Sequence, residues 1–315
     1  MITNAELIKP RALRPGATLA VVSPASTPKP ELVAVGVAAL QALGYRVQVS
    51  PHALTRGPLY YAGTLAQRVA DLHAAFADEA VDGILCTRGG WGSAELLPHL
   101  DRTLIRAHPK PFLGYSDHTS LHTWLRNEAD LVSFQAPMVA ADFSRADGVD
   151  MASWNHALRG TAAWTLGAES GLRVLQAGLA EGELHGGCLS IYAEAVGTPY
   201  APRPRGGVLF LEDIGAKPYQ WDRTLLHLRY AGLFEGVQGV VFGDMSQCCA
   251  PEEHASLEGA LQHALREFKG PIAIGLRSGH VASGNITLPF GVQVRLDLGE
   301  RGNPRMHFLE AAVAG

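Results

Sequence analysis

Cysteine is scarce in this chain, and the few cysteines present are not spaced like metal ligands or disulfide partners. Cys86, Cys188, Cys248 and Cys249 are the four cysteines of 315 residues, and they form no Cys-x-x-Cys pair. Disulfide-stapled proteins and zinc knuckles need regularly spaced cysteines. The sequence therefore predicts reduced, buried cysteines and excludes both classes of protein.

An excess of positive charge and long apolar runs are also missing. Lysine and arginine number 26 against 30 aspartates and glutamates, a formal net charge of -4, and no basic cluster is interleaved with aromatic residues. A nucleic-acid partner is therefore not expected. No segment offers the roughly 18 apolar residues of a membrane span, and residues 1–14 lack a secretory pattern. We expect a cytoplasmic protein without membrane contact.

The chain does contain a regular alternation of strand and helix patterns. Hydrophobic residues make up 47% of it, enough for a full core, and its length favours two domains. Thr64 and Gln67 form a capping box at the start of one amphipathic helix. The predicted strands of the first half are 17–22, 46–49, 81–87, 111–115 and 131–134. This order predicts an α/β domain over residues 1–165 with a doubly wound, mostly parallel sheet.

The periodicity is lost after residue 165, and residues 166–178 are predicted to be a linker. Beyond it, helices are predicted at 221–233 and 254–268. Predicted strands lie at 206–213, 237–243, 271–275, 286–298 and 306–309. Such a mixture with late strands predicts a second, α+β domain over residues 179–315 that is partly barrel-like.

Residues 114–118, Gly-Tyr-Ser-Asp-His, lie where an apolar strand turns sharply into a helical pattern. Ser116 at such a turn is presented as a nucleophile is, because the helix start offers amide N–H groups that stabilise an oxyanion. Serine and aspartate are also common N-caps that satisfy the same N–H groups. These five residues alone leave both interpretations open.

A glycine-rich segment at residues 88–93 follows the preceding strand. Its glycines admit close approach of a ligand to exposed N–H groups. It lacks the G-x-G-x-x-G spacing, so dinucleotide binding is not favoured. Because the two strands are consecutive, we expect Gly90 to lie beside Ser116.

Acidic residues and histidines supply the remaining candidates. Glu212 and Asp213 end an apolar strand, and strand alternation sends them to opposite faces, so only one is expected to face a site. His280 lies in a polar, glycine-flanked loop, where a functional and an incidental role are both open. His118 and His122 have the i, i+4 spacing of a metal pair, but neither the expected glutamate nor a third ligand accompanies them. No metal is predicted.

Together these segments resemble the LD-carboxypeptidase family, serine peptidases that include murein tetrapeptide carboxypeptidases and microcin C immunity peptidases. The order and spacing of the matching segments carry the resemblance, which spans nearly the whole chain. The segments are 21–25, 88–92, 114–117, 186–190, 197–199, 210–213, 222–223 and 279–280. Trp91 stands where the family often has tyrosine, and Cys188 where many members have asparagine.

The resemblance implies a role for each candidate. Ser116 corresponds to the family's nucleophile, Glu212 to its acidic residue and His280 to its base, in a site between the two domains. The backbone N–H groups of Asp117 and Gly90 correspond to its oxyanion hole. Trp91 is the candidate for substrate contact.

The implied activity is that of a metal-independent serine carboxypeptidase that needs no cofactor. Its expected substrate is a muropeptide tetrapeptide, which would lose its terminal D-alanine during cell-wall recycling. One alternative is a microcin C-type immunity peptidase that cleaves an aminoacyl-nucleotide toxin. A second is a non-catalytic two-domain binder of small molecules, in which Ser116 only caps its helix. The family also implies a homodimer.

Overall fold

The computed structural model describes residues 7–204, 206–245, 247–299 and 303–315. The chain divides into two compact units. The first unit takes its described residues from Met1–Thr161, Ser283–Gly291 and Ala311–Gly315, and the second from Ala162–Ala282 and Val292–Glu310.

Fourteen strands and eight α-helices are described. The strands are β1 (Thr18–Val22), β2 (Arg46–Val49), β3 (Gly83–Cys86), β4 (Phe112–Gly114), β5 (Ser133–Gln135), β6 (Trp164–Leu166), β7 (Arg173–Gln176), β8 (Gly178–Cys188), β9 (Gly207–Glu212), β10 (Gly239–Gly243), β11 (Ile272–Leu276), β12 (Leu288–Phe290), β13 (Gln293–Leu298) and β14 (Arg305–Phe308). The helices are α1 (Pro30–Ala42), α2 (Leu65–Ala77), α3 (Arg102–Ala107), α4 (Thr119–Ala129), α5 (Met151–Leu158), α6 (Leu189–Glu194), α7 (Pro218–Tyr230) and α8 (His254–Ala264). Within these described residues, no helix is both long and apolar enough to cross a lipid bilayer.

The first unit contains a six-stranded sheet in the order β12-β5-β4-β3-β1-β2. Strands β1 to β5 pair in parallel, and β12 runs antiparallel to β5. Strands β1, β3, β4 and β5 are buried throughout, as expected where helices cover both faces of a parallel sheet. The prediction of a mostly parallel, doubly wound sheet is confirmed.

Helix α2 begins where the sequence predicts it. The Thr64 side chain accepts a hydrogen bond from the Gln67 N–H at 3.3 Å, and the Gln67 side chain accepts one from the Thr64 N–H at 2.9 Å. Both bonds satisfy N–H groups that have no partner within the helix. The capping box is confirmed.

The second unit is built on an eight-stranded mixed sheet in the order β6-β14-β13-β8-β9-β10-β11-β7. The long strand β8 pairs antiparallel with β13 through its first half and parallel with β9 through its second half. Apolar side chains of α6, α7 and α8 form one buried core with β9, β10 and β11. The unit is α+β, as predicted. The sheet order begins at β6 and ends at β7. The partly barrel-like arrangement that we expected from the sequence stays a prediction.

Two segments differ from the sequence-based reading. Residues 166–178, the predicted linker, contain β7 and lie within the second unit; as a domain boundary, the linker stays a prediction. The predicted strand 286–298 is two strands, β12 in the first unit and β13 in the second. Gly291 separates them with φ +96°, a left-handed conformation that glycine adopts without a Cβ clash.

Candidate active site

Ser116 occupies a strained turn between β4 and α4. Its φ is +66°, which non-glycine residues seldom adopt. A short 3-10 helix, Ser116–His118, leads directly into α4. The N-cap positions of these two helices belong to Tyr115 and His118, and neither residue makes a side-chain capping bond. The N-cap positions of these helices are thus assigned to residues other than Ser116.

Residues 88–93, which we call the glycine loop, approach this turn closely. A Cβ built on Gly89 would lie 2.7 Å from the Ser116 Cβ, 2.8 Å from its Oγ and 3.4 Å from the Asp117 backbone nitrogen. Only glycine fits without displacing the serine. The sequence predicts Gly90 as the neighbour of Ser116, and the structure places Gly89 closest.

Gly90 and Trp91 contact the segment that follows β1. A Cβ on Gly90, whose φ is +109°, would lie 2.3 Å from the Ser26 Oγ. The Trp91 N–H donates to the same oxygen at 3.1 Å. Trp91 itself is 36% exposed, so its indole is accessible to a ligand.

The Asp117 carboxylate ties the glycine loop to the serine turn. Its Oδ2 accepts a hydrogen bond from the Ser93 N–H at 2.8 Å, and the residue is buried. Burial raises the pKa of the Asp117 carboxyl, while its hydrogen bonds and the charge of Arg68 oppose that rise. Asp117 thus has a structural task for its side chain in addition to the N–H predicted for the oxyanion hole.

His118, which directly precedes α4, and His122, within α4, are core residues. His122 is hydrogen-bonded to the Ser133 Oγ at 2.9 Å and to the Gly114 carbonyl at 2.8 Å. Burial lowers the pKa of His118 to about 3 and that of His122 to about 4, so both rings are neutral at pH 7. Nowhere in the described ranges do three or more His, Cys, Asp or Glu side chains gather in a way that would hold a metal ion.

Glu212 and His280 form a hydrogen-bonded pair in the second unit. The Glu212 Oε2 accepts from the His280 Nδ1 at 2.8 Å and from the His280 backbone N–H at 3.0 Å. The side chain of Glu212 is 2% exposed and that of His280 is 14% exposed. A carboxylate acceptor favours the tautomer with its proton on Nδ1, which leaves the lone pair on Nε2. The pair has the form of an oriented general base.

Two glycines make room for this pair. Strand β10 lies between β9, which ends at Glu212, and β11, which precedes His280. A Cβ on Gly243, at the end of β10, would lie 2.6 Å from the Glu212 Cβ. A Cβ on Gly279 would lie 2.4 Å from the Glu212 Cδ. The carboxylate reaches the imidazole because neither residue carries a side chain.

Asp213 points elsewhere, which settles the question that strand alternation leaves open. Its Oδ2 accepts from the Ser190 N–H at 2.9 Å and its Oδ1 from the Ile214 N–H at 2.8 Å. The Cys188 Sγ lies 3.6 Å from the same Oδ1. Burial raises the pKa of the Asp213 carboxyl. This residue fixes the turn into α6 and does not contact the histidine.

Sequence reasoning missed several residues that support the site. Ser26, Arg68 and Gly243 act through contacts distant in sequence and belong to no spacing pattern, while Gly89 lies in the predicted glycine-rich segment but was not assigned its contact with Ser116. A glycine directly after a strand is the only local signal, and it is shared by many turns.

Models of the two domains of one family match this chain. The LD-carboxypeptidase N-terminal domain matches residues 19–136, and the LD-carboxypeptidase C-terminal domain matches residues 181–296. The chain therefore belongs to the LD-carboxypeptidase family of peptidases. It is a hydrolase of the carboxypeptidase class, as the resemblance implied.

Individual proteins are similar to this chain in sequence or in fold. The chain is 36% identical over 297 residues to the probable murein peptide carboxypeptidase of Bacillus subtilis strain 168, covering 93% of this chain and 92% of that protein. The MccF-like protein of Bacillus anthracis strain Ames superposes with a TM-score of 0.88 and 26% identity, covering 96% and 99% of the two chains. Microcin C7 self immunity protein MccF in complex with aspartyl sulfamoyl adenosine has a TM-score of 0.88 at 23% identity, covering 98% and 100%.

Proposed function

We propose that this protein is a serine carboxypeptidase that releases the terminal D-alanine from muropeptide tetrapeptides. The observation that carries the proposal is the buried Glu212–His280 pair, with its 2.8 Å bond from Nδ1 to the carboxylate. Support for the substrate comes from the probable murein peptide carboxypeptidase of Bacillus subtilis, at 36% identity.

The proposed nucleophile is Ser116, with His280 as general base and Glu212 as the residue that orients it. His280 Nε2 takes the hydroxyl proton while the Ser116 Oγ attacks the carbonyl carbon of the scissile amide. The tetrahedral intermediate collapses when the imidazolium returns that proton to the departing amine of D-alanine. Water, deprotonated by the same nitrogen, then hydrolyses the acyl-enzyme and restores the serine.

The proposed oxyanion hole consists of the N–H groups of Asp117 and Gly90. The positions of Gly89 against the Ser116 side chain and of Asp117 beside it support this assignment. Losing one such donor costs about 10² to 10³ in turnover in serine hydrolases. Trp91, exposed on the same loop, is the proposed substrate contact.

The alternative substrate is an aminoacyl-nucleotide, for which Trp91 would provide a stacking surface. Its support is the MccF structure that holds aspartyl sulfamoyl adenosine, at 23% identity. The higher identity to the murein peptide carboxypeptidase favours the muropeptide. A non-catalytic binder is disfavoured, because neither the strained backbone of Ser116 nor the carboxylate-oriented ring of His280 would have a task in it. We also propose a homodimer, on the family resemblance alone, and a cytoplasmic location, on the sequence alone.

The test is product analysis with matched variants. The parent protein should release D-alanine from the tetrapeptide, and Ser116→Ala should abolish release while remaining folded. Glu212→Gln should lower kcat by about 10² to 10⁴, as loss of the orienting carboxylate does in other triads. The control is Asp213→Asn, which neighbours Glu212 but contacts the α6 turn and should leave kcat within about threefold.

Each outcome identifies which part of the proposal fails. Release of D-alanine by Ser116→Ala at the parental rate would reject the nucleophile. Equal losses in Glu212→Gln and Asp213→Asn would reject Glu212 as the orienting residue. Turnover of an aminoacyl-nucleotide in preference to the tetrapeptide would replace the substrate with the alternative.

A further inference from the structure

Arg68, on α2, is a buried arginine whose contacts converge on the glycine loop. The residue is 3% exposed, and a buried charge is costly unless its donors are satisfied. Its Nη1 donates to the carbonyl oxygens of Pro24 at 3.0 Å and Gly92 at 2.8 Å. Its Nη2 donates to the Glu95 Oε2 at 2.6 Å, and the guanidinium lies 4.6 Å from the centre of the Tyr61 ring. One side chain thus joins four separate segments of the first unit.

The glycine loop is shaped around this guanidinium. Gly92 has φ +133°, and a Cβ on it would lie 2.6 Å from the Arg68 Nη1 and 2.8 Å from the Tyr61 Cδ1. The backbone at Gly92 therefore passes where a side chain would collide with the arginine.

Two further bonds hold the same loop. The Ser93 N–H donates to the Asp117 Oδ2 at 2.8 Å, and the Trp91 N–H donates to the Ser26 Oγ at 3.1 Å. Gly89, which approaches Ser116, and Gly90, which approaches Ser26, lie in the chain between β3 and these attachments. Donors fixed before the reaction stabilise an oxyanion better than donors that must be ordered during it.

We propose that Arg68 is a positioning residue that holds the glycine loop in the geometry needed for oxyanion stabilisation. This inference rests on the proposed serine-hydrolase function, and Arg68 itself touches neither substrate nor nucleophile. The charge of Arg68 also lowers the pKa of Asp117 against the effect of burial. It thereby favours the ionised carboxylate that accepts the Ser93 N–H.

The experiment measures the reactivity of Ser116 independently of the natural substrate. Parent, Arg68→Met, Arg68→Lys and Glu95→Gln proteins are labelled with an alkyl fluorophosphonate, and the rate constant is followed by mass spectrometry. Arg68→Met should label about 10 to 100 times more slowly, because negative charge develops on the phosphoryl oxygen of the reagent as the serine displaces fluoride, and the same N–H donors would stabilise it. Arg68→Lys retains a cation with fewer donors and should give an intermediate rate.

The matched control is Arg106→Met. Arg106 also bridges a backbone carbonyl, that of Ala129, and a carboxylate, that of Asp130, in the same unit. It makes no contact with the glycine loop in the described structure, so its replacement should leave labelling at the parental rate. Urea unfolding midpoints of all variants separate a loss of stability from a loss of reactivity. The tetrapeptide KM of Arg68→Met should stay within about threefold while kcat falls.

A folded Arg68→Met protein that labels at the parental rate would overturn the inference and leave the hydrolase proposal intact. If Arg68→Met does not fold, Arg68→Lys and Glu95→Gln decide in its place, and parental labelling of both would overturn the inference. A parent protein that does not label at Ser116 would reject the proposed function and this inference together.

Discussion

The backbone of Ser116 has a conformation that is unfavourable for a residue with a side chain. Its φ of +66° lies in the left-handed region, which costs a residue with a Cβ roughly 1 kcal/mol. A helix cap would not need this conformation. The strain is therefore an observation that supports the nucleophile interpretation, beyond the residue types in the turn.

Replacement of Ser116 by glycine should stabilise the protein relative to replacement by alanine. Glycine adopts a positive φ without a Cβ penalty, whereas alanine retains the strain. Because glycine also gains entropy in the unfolded chain, we expect a net difference of about 0.5 to 1 kcal/mol in the free energy of unfolding. Urea denaturation of the two variants measures it.

Leu59 provides the positive control for this comparison. Its φ is +53° and its side chain is exposed, so Leu59→Gly should likewise exceed Leu59→Ala in stability, without any effect of the site. A Ser116→Ala protein as stable as Ser116→Gly would show that the turn at Ser116 carries no strain.

At the scale of elements, each residue of the proposed site lies at or after the carboxyl end of a strand. The glycine loop follows β3, Ser116 follows β4, Glu212 ends β9 and His280 follows β11. Parallel neighbours end at the same edge of a sheet, so residues distant in sequence meet there. This rule made Ser116 and the glycine loop predictable as neighbours from strand order alone.

Gly89→Ala should strongly lower activity, because the added methyl group would collide with the side chain of Ser116, the proposed nucleophile. The new Cβ would lie 2.7 Å from the Ser116 Cβ, closer than carbon atoms pack, so the serine turn or the loop must move. We expect kcat to fall by about 10²-fold or more, since small displacements at a reacting centre have effects of this size. Steady-state release of D-alanine measures it.

The matched control is Gly259→Ala in α8, where a Cβ would meet nothing within 4 Å. This variant should keep full activity and gain about 0.5 to 1 kcal/mol of stability, because alanine is the better helix former. Parental activity in Gly89→Ala would mean that the serine tolerates the displacement, and the close approach of the loop would then have no role in the reaction.

Features formed by residues close together in sequence could be predicted, and features formed by residues far apart in sequence could not. The capping box of Thr64 depends on residues three apart, and the sequence predicted it correctly. The choice between Glu212 and Asp213 depends on Gly243, Gly279 and the position of β10, which no local pattern contains. Arg68 was missed for the same reason, because its partners come from segments between 24 and 95 and only the folded chain collects them.

At the scale of the whole molecule, the chain passes between its two units more often than a single linker would allow. Residues Ser283–Gly291 and Ala311–Gly315 belong to the first unit, although the residues directly before each of these segments belong to the second. Strand β12 is buried throughout and β13 is buried at alternate residues. Apolar residues therefore continue through segment 286–298, and the sequence alone suggests one strand. The division at Gly291 depends on tertiary pairing and was not predictable.

The pH dependence of stability should be dominated at mildly acidic pH by the two buried histidines of the first unit. Burial holds the pKa of His118 at about 3 and that of His122 at about 4, against about 6.5 in an unfolded chain. The unfolded state therefore binds protons that the folded state does not, and stability falls as pH drops below about 6.5. By pH 5 the loss is about 2 kcal/mol for each histidine.

Buried carboxyls act in the opposite direction. The pKa values of Asp117 and Asp142 are raised by burial, so the folded protein takes up these protons first and gains stability as pH falls through that range. They offset part of the loss from the histidines, and a comparison of variants is needed to isolate each contribution.

The variant His118→Phe removes the histidine whose pKa is lowered further by burial. Neither ring nitrogen of His118 has a hydrogen-bond partner in the described structure, and the ring packs edge-on against Phe112, so phenylalanine preserves the packing and removes the titration. Urea denaturation at pH values from 8 to 5 measures the free energy of unfolding. Its decrease from pH 8 to pH 5 should be about 2 kcal/mol smaller in His118→Phe than in the parent protein. The exposed His263→Gln should follow the parent throughout. A slope in His118→Phe equal to that of the parent would place the acid sensitivity elsewhere in the molecule.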